Sequence, residues 1–351
     1  MNALLFVYIV IEVYIISGSA FSLSSAAGLS HDQKCQSKCY GGDSTESLKS
    51  GVNDVVIVIQ SDGTLKSTPL QARVGKLSNW KTLFKSREGK IAKLYVNNVR
   101  ALSEAILVLS DSGSIFVHRR RENPSCLFTN EEMEAMTLFE GSNDGILVVD
   151  DLGIELTFRI HVYTQNNRLV ITDIDGTITT SDIKGFLVGN VGVDVHHPGV
   201  VEFFNKVSLN GYNVLYLTAR PMAFDTMTRE YVFDTLQKVD GSLPDFVRYS
   251  MPNGPLFMSP ISAKAAITAD AEVIKLKQLK CLLALFDLKQ DVAVGAYGNK
   301  NTDTEAYLKS GIRGERVFLI NENSKLHNVA TANVSSYKLQ AEAIDRYYPK
   351  W

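Results

Sequence analysis

Cysteine is scarce, with four in 351 residues, too few for a disulfide scaffold. Neither charge is in excess: 36 Lys and Arg face 38 Asp and Glu, for a formal net charge of −2. A dedicated nucleic-acid binder usually carries a basic excess, so that class is set aside. Long apolar runs are missing beyond the first few residues, which excludes a multi-span membrane protein. With 45% apolar and 21% charged residues, the composition is near the globular average and fits neither a disordered chain, a coiled coil nor a collagen-like repeat. At roughly 150 residues per domain, the length fits about two domains.

The chain has no Lys or Arg before Lys34, yet Ala3 to Ile16 is apolar on every side except at Glu12. Gly18 and Ala20 suit the small positions of a signal-peptidase site, although the positive leader is missing. The run is shorter than the ~20 residues of a spanning helix, unless it continues through Leu23. Residues 1–20 therefore read as a cleaved signal peptide or a membrane anchor, with a surface-lying or misassigned start as the third option. The expected location is membrane-associated, in the endoplasmic reticulum or secretory pathway. Residues 21–51 read as a polar linker. Cys35 and Cys39 inside it either close a small disulfide or are unrelated thiols. Cys126 and Cys281 sit in apolar settings that predict burial. Asn333-Val334-Ser335 is a glycosylation sequon, relevant only on a secretory route.

From residue 52 onward, short β-branched runs alternate with turns. Asp54 to Ser67 carries Asp62-Gly63 between two extended stretches, a hairpin signal. Ile91–Val96, Ile106–Leu109 and Ser114–Val117 follow. Gly145–Val149 and Ile154–Val162 form another hairpin. Many short strands with turn signals predict a β-sandwich. The pattern changes at Arg168. Leu169–Thr172, Val214–Leu217, Val292–Tyr297 and Arg316–Ile320 read as buried strands, with helices over Gly199–Ser208 and Ala271–Leu288. Strands alternating with helices mean a parallel α/β sheet.

The first three of these strands run into polar loops, where open α/β sheets bind ligands. The first enters Asp173-Ile174-Asp175-Gly176-Thr177. Two carboxylates at i and i+2 can be turned toward one site, and Gly176 permits the sharp turn. The bland alternative is a polar turn with a helix cap. The second strand ends in Thr218-Ala219-Arg220, where a hydroxyl can donate to a phosphoryl oxygen; alone, it is a turn residue. The third ends in Gly298-Asn299-Lys300-Asn301-Thr302-Asp303, whose oxygens suit Mg²⁺. Lys275, Lys277 and Lys280 on one helix are candidates for a lysine at the site, and most lysines simply line a solvated face.

This order resembles that of the haloacid-dehalogenase-like phosphohydrolases. Arg168 to Asp182, Asn210-Gly211-Tyr212, Tyr216 to Arg220, Met227-Thr228-Arg229 and Gly254 to Pro260 are similar to segments of the lipin family of Mg²⁺-dependent phosphatidate phosphatases. So is Gly298-Asn299-Lys300 with Asp303, where Lys replaces the family's Arg. Asp54 to Val58, Asp62-Gly63, Arg73 to Leu77 and Gly141 to Asp144 extend the likeness into the β-rich half. The resemblance implies a Rossmann-like haloacid-dehalogenase-like catalytic domain beside an immunoglobulin-like β-sandwich. The boundaries are 52–117 for the N-terminal lipin-like β region, 118–140 for a spacer and 141–167 for strands completing the sandwich. The catalytic domain takes 168–330 and a tail takes 331–351.

The resemblance also assigns roles. Asp173 is the nucleophile and Asp175 the acid and base. Thr218 and Lys275 bind the phosphoryl group, with Lys277 as the second candidate. Asp173, Asp175, Asn299 and Asp303 form the Mg²⁺ site. Gly176, Thr177 and Ala219 shape the phosphate loop, and Arg220 and Arg229 either meet the headgroup or pair internally. The implied substrate is phosphatidic acid at a membrane surface. The competing functions are a non-catalytic phosphatidic-acid-binding module and a phosphatase for a small soluble phosphomonoester. His118 to Arg121 and Arg346 to Trp351 are candidate lipid contacts; the alternatives are a solvated loop and a frayed terminus.

Overall fold

A computed structural model of the chain describes residues 50–75, 86–102, 106–120, 122–180, 196–234, 237–238, 248–260, 271–287, 289–331 and 333–351. The apolar run 1–20, the linker with Cys35 and Cys39, and Arg121 lie outside them.

Alternation builds the β-rich half. In the strand Ile91–Val96, Ala92, Leu94 and Val96 are buried while Ile91 is exposed, the period of a half-solvated strand. The strands are β1 (Gly51–Val52), β2 (Val55–Ile59), β3 (Leu65–Ser67), β4 (Ala72–Arg73), β5 (Ile91–Val96), β6 (Val99–Arg100), β7 (Ile106–Leu109), β8 (Ile115–His118), β9 (Gly141–Val149) and β10 (Ile154–Tyr163). Eight of them form one sheet, with seven on the hydrogen-bonded path β3-β2-β10-β9-β5-β7-β8 and β6 on β5. The pairs β2–β10 and β5–β9 join segments from either side of the 118–140 stretch. Strands far apart on the path, β2 and β8, contribute to one core through Val55, Ile57, Ile115 and Val117, and Leu65 of β3 packs against it.

The second sheet runs β15 (Leu256–Ser259), β12 (Asn213–Pro221), β11 (Leu169–Thr172), β16 (Ala293–Gly298), β17 (Val317–Ile320), β18 (Leu326–Asn328) and β19 (Val334–Ser335). The pairings through β17 are parallel, and those of β18 and β19 antiparallel. A separate ribbon pairs β13 (Gln237–Lys238) with β14 (Arg248–Tyr249). The helices are α1 (Asn130–Glu134), α2 (Val200–Leu209), α3 (Asp225–Arg229), α4 (Ala271–Leu283), α5 (Lys289–Val292), α6 (Asn301–Lys309), α7 (Tyr337–Glu342) and α8 (Ile344–Tyr347). β11 is first in sequence yet lies between β12 and β16. Connections leave it in opposite directions, and ligands bind at such a switch point.

β2 serves both halves. Its Val55 and Ile57 enter the β-rich core, while Val56 and Val58 pack with Ile171, Leu215 and Leu217 of the α/β sheet. Just before it, Asn53 and Asp54 cover the edge of β15. Asn53 Nδ2 donates to Met258 O at 2.9 Å and its Oδ1 accepts from Met258 N at 2.7 Å. Leu256 N donates to Asp54 Oδ2 at 2.8 Å. An open sheet edge is thereby satisfied by two side chains. Arg229 completes the junction, 2.9 Å from Asp54 Oδ1 and 2.5 Å from Asp225 Oδ1.

His161 of β10 is buried here, with Nε2 3.9 Å from Asp54 Oδ2. Burial pushes its pKa down to about 4; Asp54 opposes this, and Arg159 and Arg229 add to it. The unfolded value is about 6.5, so the unfolded chain binds more protons between the two. Stability from neutral His161 is full above pH ~6.5 and is lost as pH falls toward 4, by about 3 kcal/mol. Asp225, raised to about 6 by burial, gains stability over the same fall. The comparison of wild type with His161→Gln isolates the histidine. In urea unfolding at pH 7 and 4.5, the variant is expected to lose less stability than wild type on acidification; equal losses would rule out the histidine as the cause.

Several expectations are corrected. Among the described residues no helix is long and apolar enough to cross a membrane. The longest, α4, has 13 residues and spans about 20 Å, against a hydrocarbon core of about 30 Å. The endoplasmic-reticulum or secretory location inferred from residues 1–20 is therefore not supported. Arg119 is half-buried and paired within the chain. Its Nε and Nη2 donate to Glu132 at 2.8 and 2.6 Å, and Nη2 also donates to Leu127 O. Glu132 in turn caps α1 with Thr129. The C-terminal segment is not frayed: Tyr348 is buried and bonded to Tyr297 through their hydroxyls at 2.8 Å, and Trp351 N donates to Asn210 O. The α/β unit thus continues past residue 330 to the C-terminus. Cys126 and Cys281 are both buried, and Cys126 is disulfide-bonded.

Candidate active site

The site forms where β11, β12 and β16 end together. All four residues of β11 are buried, and the chain leaves the sheet at Asp173, whose N–H donates to Tyr297 O at 2.9 Å. Gly176 takes φ +76°, a left-handed conformation that glycine adopts without strain. That turn brings Thr177 back, so its hydroxyl donates to Asp173 Oδ2 at 3.4 Å. Gly176 N donates to Thr179 Oγ1 at 2.9 Å.

Lys275 of α4 reaches this loop. Its Nζ donates to Asp173 Oδ1 at 2.7 Å and to Asp303 Oδ1 at 2.6 Å. All three side chains are nearly inaccessible, at 4%, 6% and 3% for Lys275, Asp173 and Asp303. Lys277, two residues on, is exposed. Asp303, near the start of α6, uses its other oxygen to accept from the N–H groups of Asn299 and Lys300, both at 3.0 Å. One carboxylate thus ties the loop after β16 to the lysine.

Two carboxylates share one ammonium, leaving an unbalanced negative charge in a buried space. Burial works against the Lys275 charge, but Asp173 and Asp303 outweigh it and raise its pKa. Asp173 is pushed up to about 7, by burial first and then by Asp303 and Asp175, with Lys275 opposing. A further cation fits such a site. The donor set agrees: Asn299 Oδ1 is buried and has no hydrogen-bond partner. An amide oxygen and carboxylates are what a hard divalent cation takes. Among the described residues no group of three His, Cys, Asp or Glu side chains could hold a metal ion by itself, so main-chain and Asn oxygens would have to contribute.

Asp175 is held by Arg220. Nε donates to Oδ2 and Nη2 to Oδ1, each at 2.8 Å. Thr218, fully buried in the C-terminal half of β12, donates to Oδ2 at 3.4 Å and accepts from Arg220 N at 3.1 Å. Ala219 lies between them, half-buried. Asp173, Asp175, Thr177, Thr218, Lys275, Asn299 and Asp303 are thereby brought together around three strand ends. Arg229 is not among them. Its guanidinium is taken by Asp54, Asp225 and Val52 O, so of its two alternatives the structure displays internal pairing, in a junction ion pair. For Arg220, pairing with Asp175 is the alternative that the structure displays.

Two bracing residues escaped the sequence reading. Tyr337 of α7 donates its hydroxyl to Thr177 O at 3.1 Å. His197 lies with Nε2 3.3 Å from Gly176 O and Nδ1 2.8 Å from Ser324 Oγ. Neither belongs to a local motif; only the adjacent His196-His197 pair was available as a signal.

Comparison with known proteins agrees with this geometry. The family model described as LNS2 (Lipin/Ned1/Smp2) matches residues 125–349, and that of the lipin N-terminal conserved region matches residues 37–148. The chain is 33% identical over 239 residues to Phosphatidic acid phosphohydrolase 1 of Saccharomyces cerevisiae, covering 63% of this chain and 27% of that protein. It is 31% identical over 231 residues to Phosphatidate phosphatase LPIN1 of Homo sapiens, covering 63% and 25%. With Phosphatidate phosphatase PAH1 of Arabidopsis thaliana it shares 28% over 206 residues, covering 56% and 22%. The chain thus spans about a quarter of the length of these relatives. Because the first match runs through all three strand ends and on into α7 and α8, the chain belongs to the LNS2 (Lipin/Ned1/Smp2) family, and its α/β unit is haloacid-dehalogenase-like.

Proposed function

We propose that the chain is a phosphatidate phosphatase, cleaving phosphatidic acid presented in a lipid layer to diacylglycerol and phosphate. The observation that carries this reading is the buried Asp173 carboxylate, held by Lys275 beside Thr218 and Asp175. Asp173 attacks phosphorus in line, forming an Asp–O–P bond as the bond to the diacylglycerol oxygen breaks. Asp175 gives that oxygen its proton. It then takes a proton from the water that cleaves the aspartyl-phosphate. Thr218 and Lys275 donate to the phosphoryl oxygens, offsetting charge that builds during transfer. Thr177 and Gly176 keep the Asp173 loop in shape. Asp173, the Asp175 main-chain carbonyl and Asn299, with Asp303 in support, would hold Mg²⁺, which would supply positive charge to offset repulsion between a carboxylate and a phosphate dianion. We read the β-rich half as an immunoglobulin-like sandwich, since the two ends of its strand path share one core.

The test is phosphate release by the full chain from phosphatidate in mixed micelles, beside glycerol 3-phosphate and p-nitrophenyl phosphate. Turnover is expected to favour phosphatidate, to stop with chelator and to return with Mg²⁺. Equal turnover of glycerol 3-phosphate would favour a soluble-substrate phosphatase. Micelle binding without release would favour a binding module.

A further inference from the structure

Arg220 is the most heavily committed charged residue around Asp175. Its fork meets both carboxylate oxygens at 2.8 Å. The guanidinium is itself held: Nη1 lies 3.5 Å from Thr228 Oγ1, the Tyr231 ring lies 5.9 Å from Cζ, and the main-chain N–H is tied to Thr218 Oγ1. Only 15% of its side chain is exposed, so it is placed by packing and does not swing in solvent.

A carboxylate offers about four lone-pair sites. Arg220 takes one on each oxygen of Asp175, and Thr218 takes a second on Oδ2. The site left open is on Oδ1. We propose that Arg220 is a positioning residue for proton transfer, turning the Asp175 carboxyl so that Oδ1 exchanges the proton with the departing alcohol. The inference rests on the reaction proposed above, in which Asp175 donates that proton as the P–O bond breaks. Without the fork, the terminal torsion of Asp175 has a broad energy profile, and the productive orientation is one of many. Lysine does not replace it, because an ammonium is a point charge that cannot hold two oxygens in one plane.

The experiment measures kcat/KM for Arg220→Gln and Arg220→Lys in the full chain. It uses phosphatidate and a series of aryl phosphates of increasing leaving-group pKa. This parameter covers steps up to departure of the alcohol, so the later attack of water does not enter. Phosphatidate, whose alkoxide needs a proton, is expected to lose on the order of 10–100-fold, the scale of a lost orientation. p-Nitrophenyl phosphate, whose phenolate leaves unassisted, is expected to lose less than about threefold, because general acid catalysis contributes little there. The slope of log kcat/KM against leaving-group pKa therefore steepens in both variants. In an Asp175→Asn background, Arg220→Gln is expected to add no loss, as for residues acting through one another.

A uniform loss across all substrates, or an equal loss in the Asp175→Asn background, would make Arg220 merely structural. So would full activity of Arg220→Lys make charge, and not the fork, the determinant. If Arg220→Gln does not fold, Arg220→Lys carries the comparison. If wild type hydrolyses aryl phosphates but not phosphatidate, the substrate reading fails while the slope still decides the role of Arg220.

Discussion

Asp173→Asn is expected to abolish turnover and leave the fold intact. The amide has the shape of the carboxylate but is no nucleophile toward phosphorus, and losing a covalent nucleophile costs on the order of 10⁶-fold in other enzymes. The fold is expected to tolerate the change for an electrostatic reason. Lys275 lies 2.7 Å from Asp173 and 2.6 Å from Asp303, so the buried cluster carries one negative charge too many. Removing the Asp173 charge leaves a balanced Lys275–Asp303 pair, with the Asn oxygen still able to accept from Nζ. Phosphate release and thermal unfolding, measured side by side, check both halves. Acid-quenched enzyme after labelled substrate should carry label in wild type and none in the variant. Near-wild-type turnover by the variant would sink the covalent mechanism. A large drop in melting temperature would instead mean that Asp173 holds the loop together.

What the sequence made legible is what is local. β11 is read residue for residue, because three apolar residues and a threonine bounded by Arg168 and Asp173 fit one buried strand. The loop that follows declares its chemistry through two carboxylates and a glycine within five residues. The strands leading to Thr218 and Asn299 were visible in the same way. Pairings across the chain were not visible. Arg220 had two readings, headgroup contact or internal pairing, and only the fold shows that its fork meets Asp175. Arg119 looked like part of a basic patch because Glu132, its partner, lies on a separate helix. The aromatic and basic residues at the C-terminus fit an interfacial segment and a frayed terminus equally well, and an internal brace was not among the readings. Burial of Tyr348 against Tyr297 decides for the brace. β15 passed unnoticed as a strand since Leu256–Ser259 is short and follows Pro255; its edge is covered by side chains of Asn53 and Asp54, some two hundred positions earlier.

Arg229→Met is expected to destabilise the protein by about 3–5 kcal/mol, the range for breaking a buried ion pair by removing one partner. The side chains of Asp54 and Asp225 are 0% and 8% exposed, and Arg229 is the cation between them. Methionine fills comparable space but leaves two carboxylates away from water. They keep main-chain donors, Arg159 N and Leu256 N for Asp54 and Val52 N for Asp225, so the junction is weakened and not emptied of partners. The loss should depend on pH in a definite sense. Burial already pushes Asp225 up to about 6 with Arg229 present. Without the guanidinium, the folded-state carboxyl of Asp225 moves further above the unfolded value of about 3.9, and the folded chain binds more protons than the unfolded one. The destabilisation is therefore largest at neutral pH and shrinks as pH falls through the raised value. Urea unfolding of wild type and variant at pH 7.5 and 5 measures this. Below its unfolding transition the variant should keep the wild-type KM for phosphatidate, because Arg229 is held by Asp54, Asp225 and Val52 O and is not among the side chains gathered at the strand ends. A variant of unchanged stability with a raised KM would return Arg229 to the substrate.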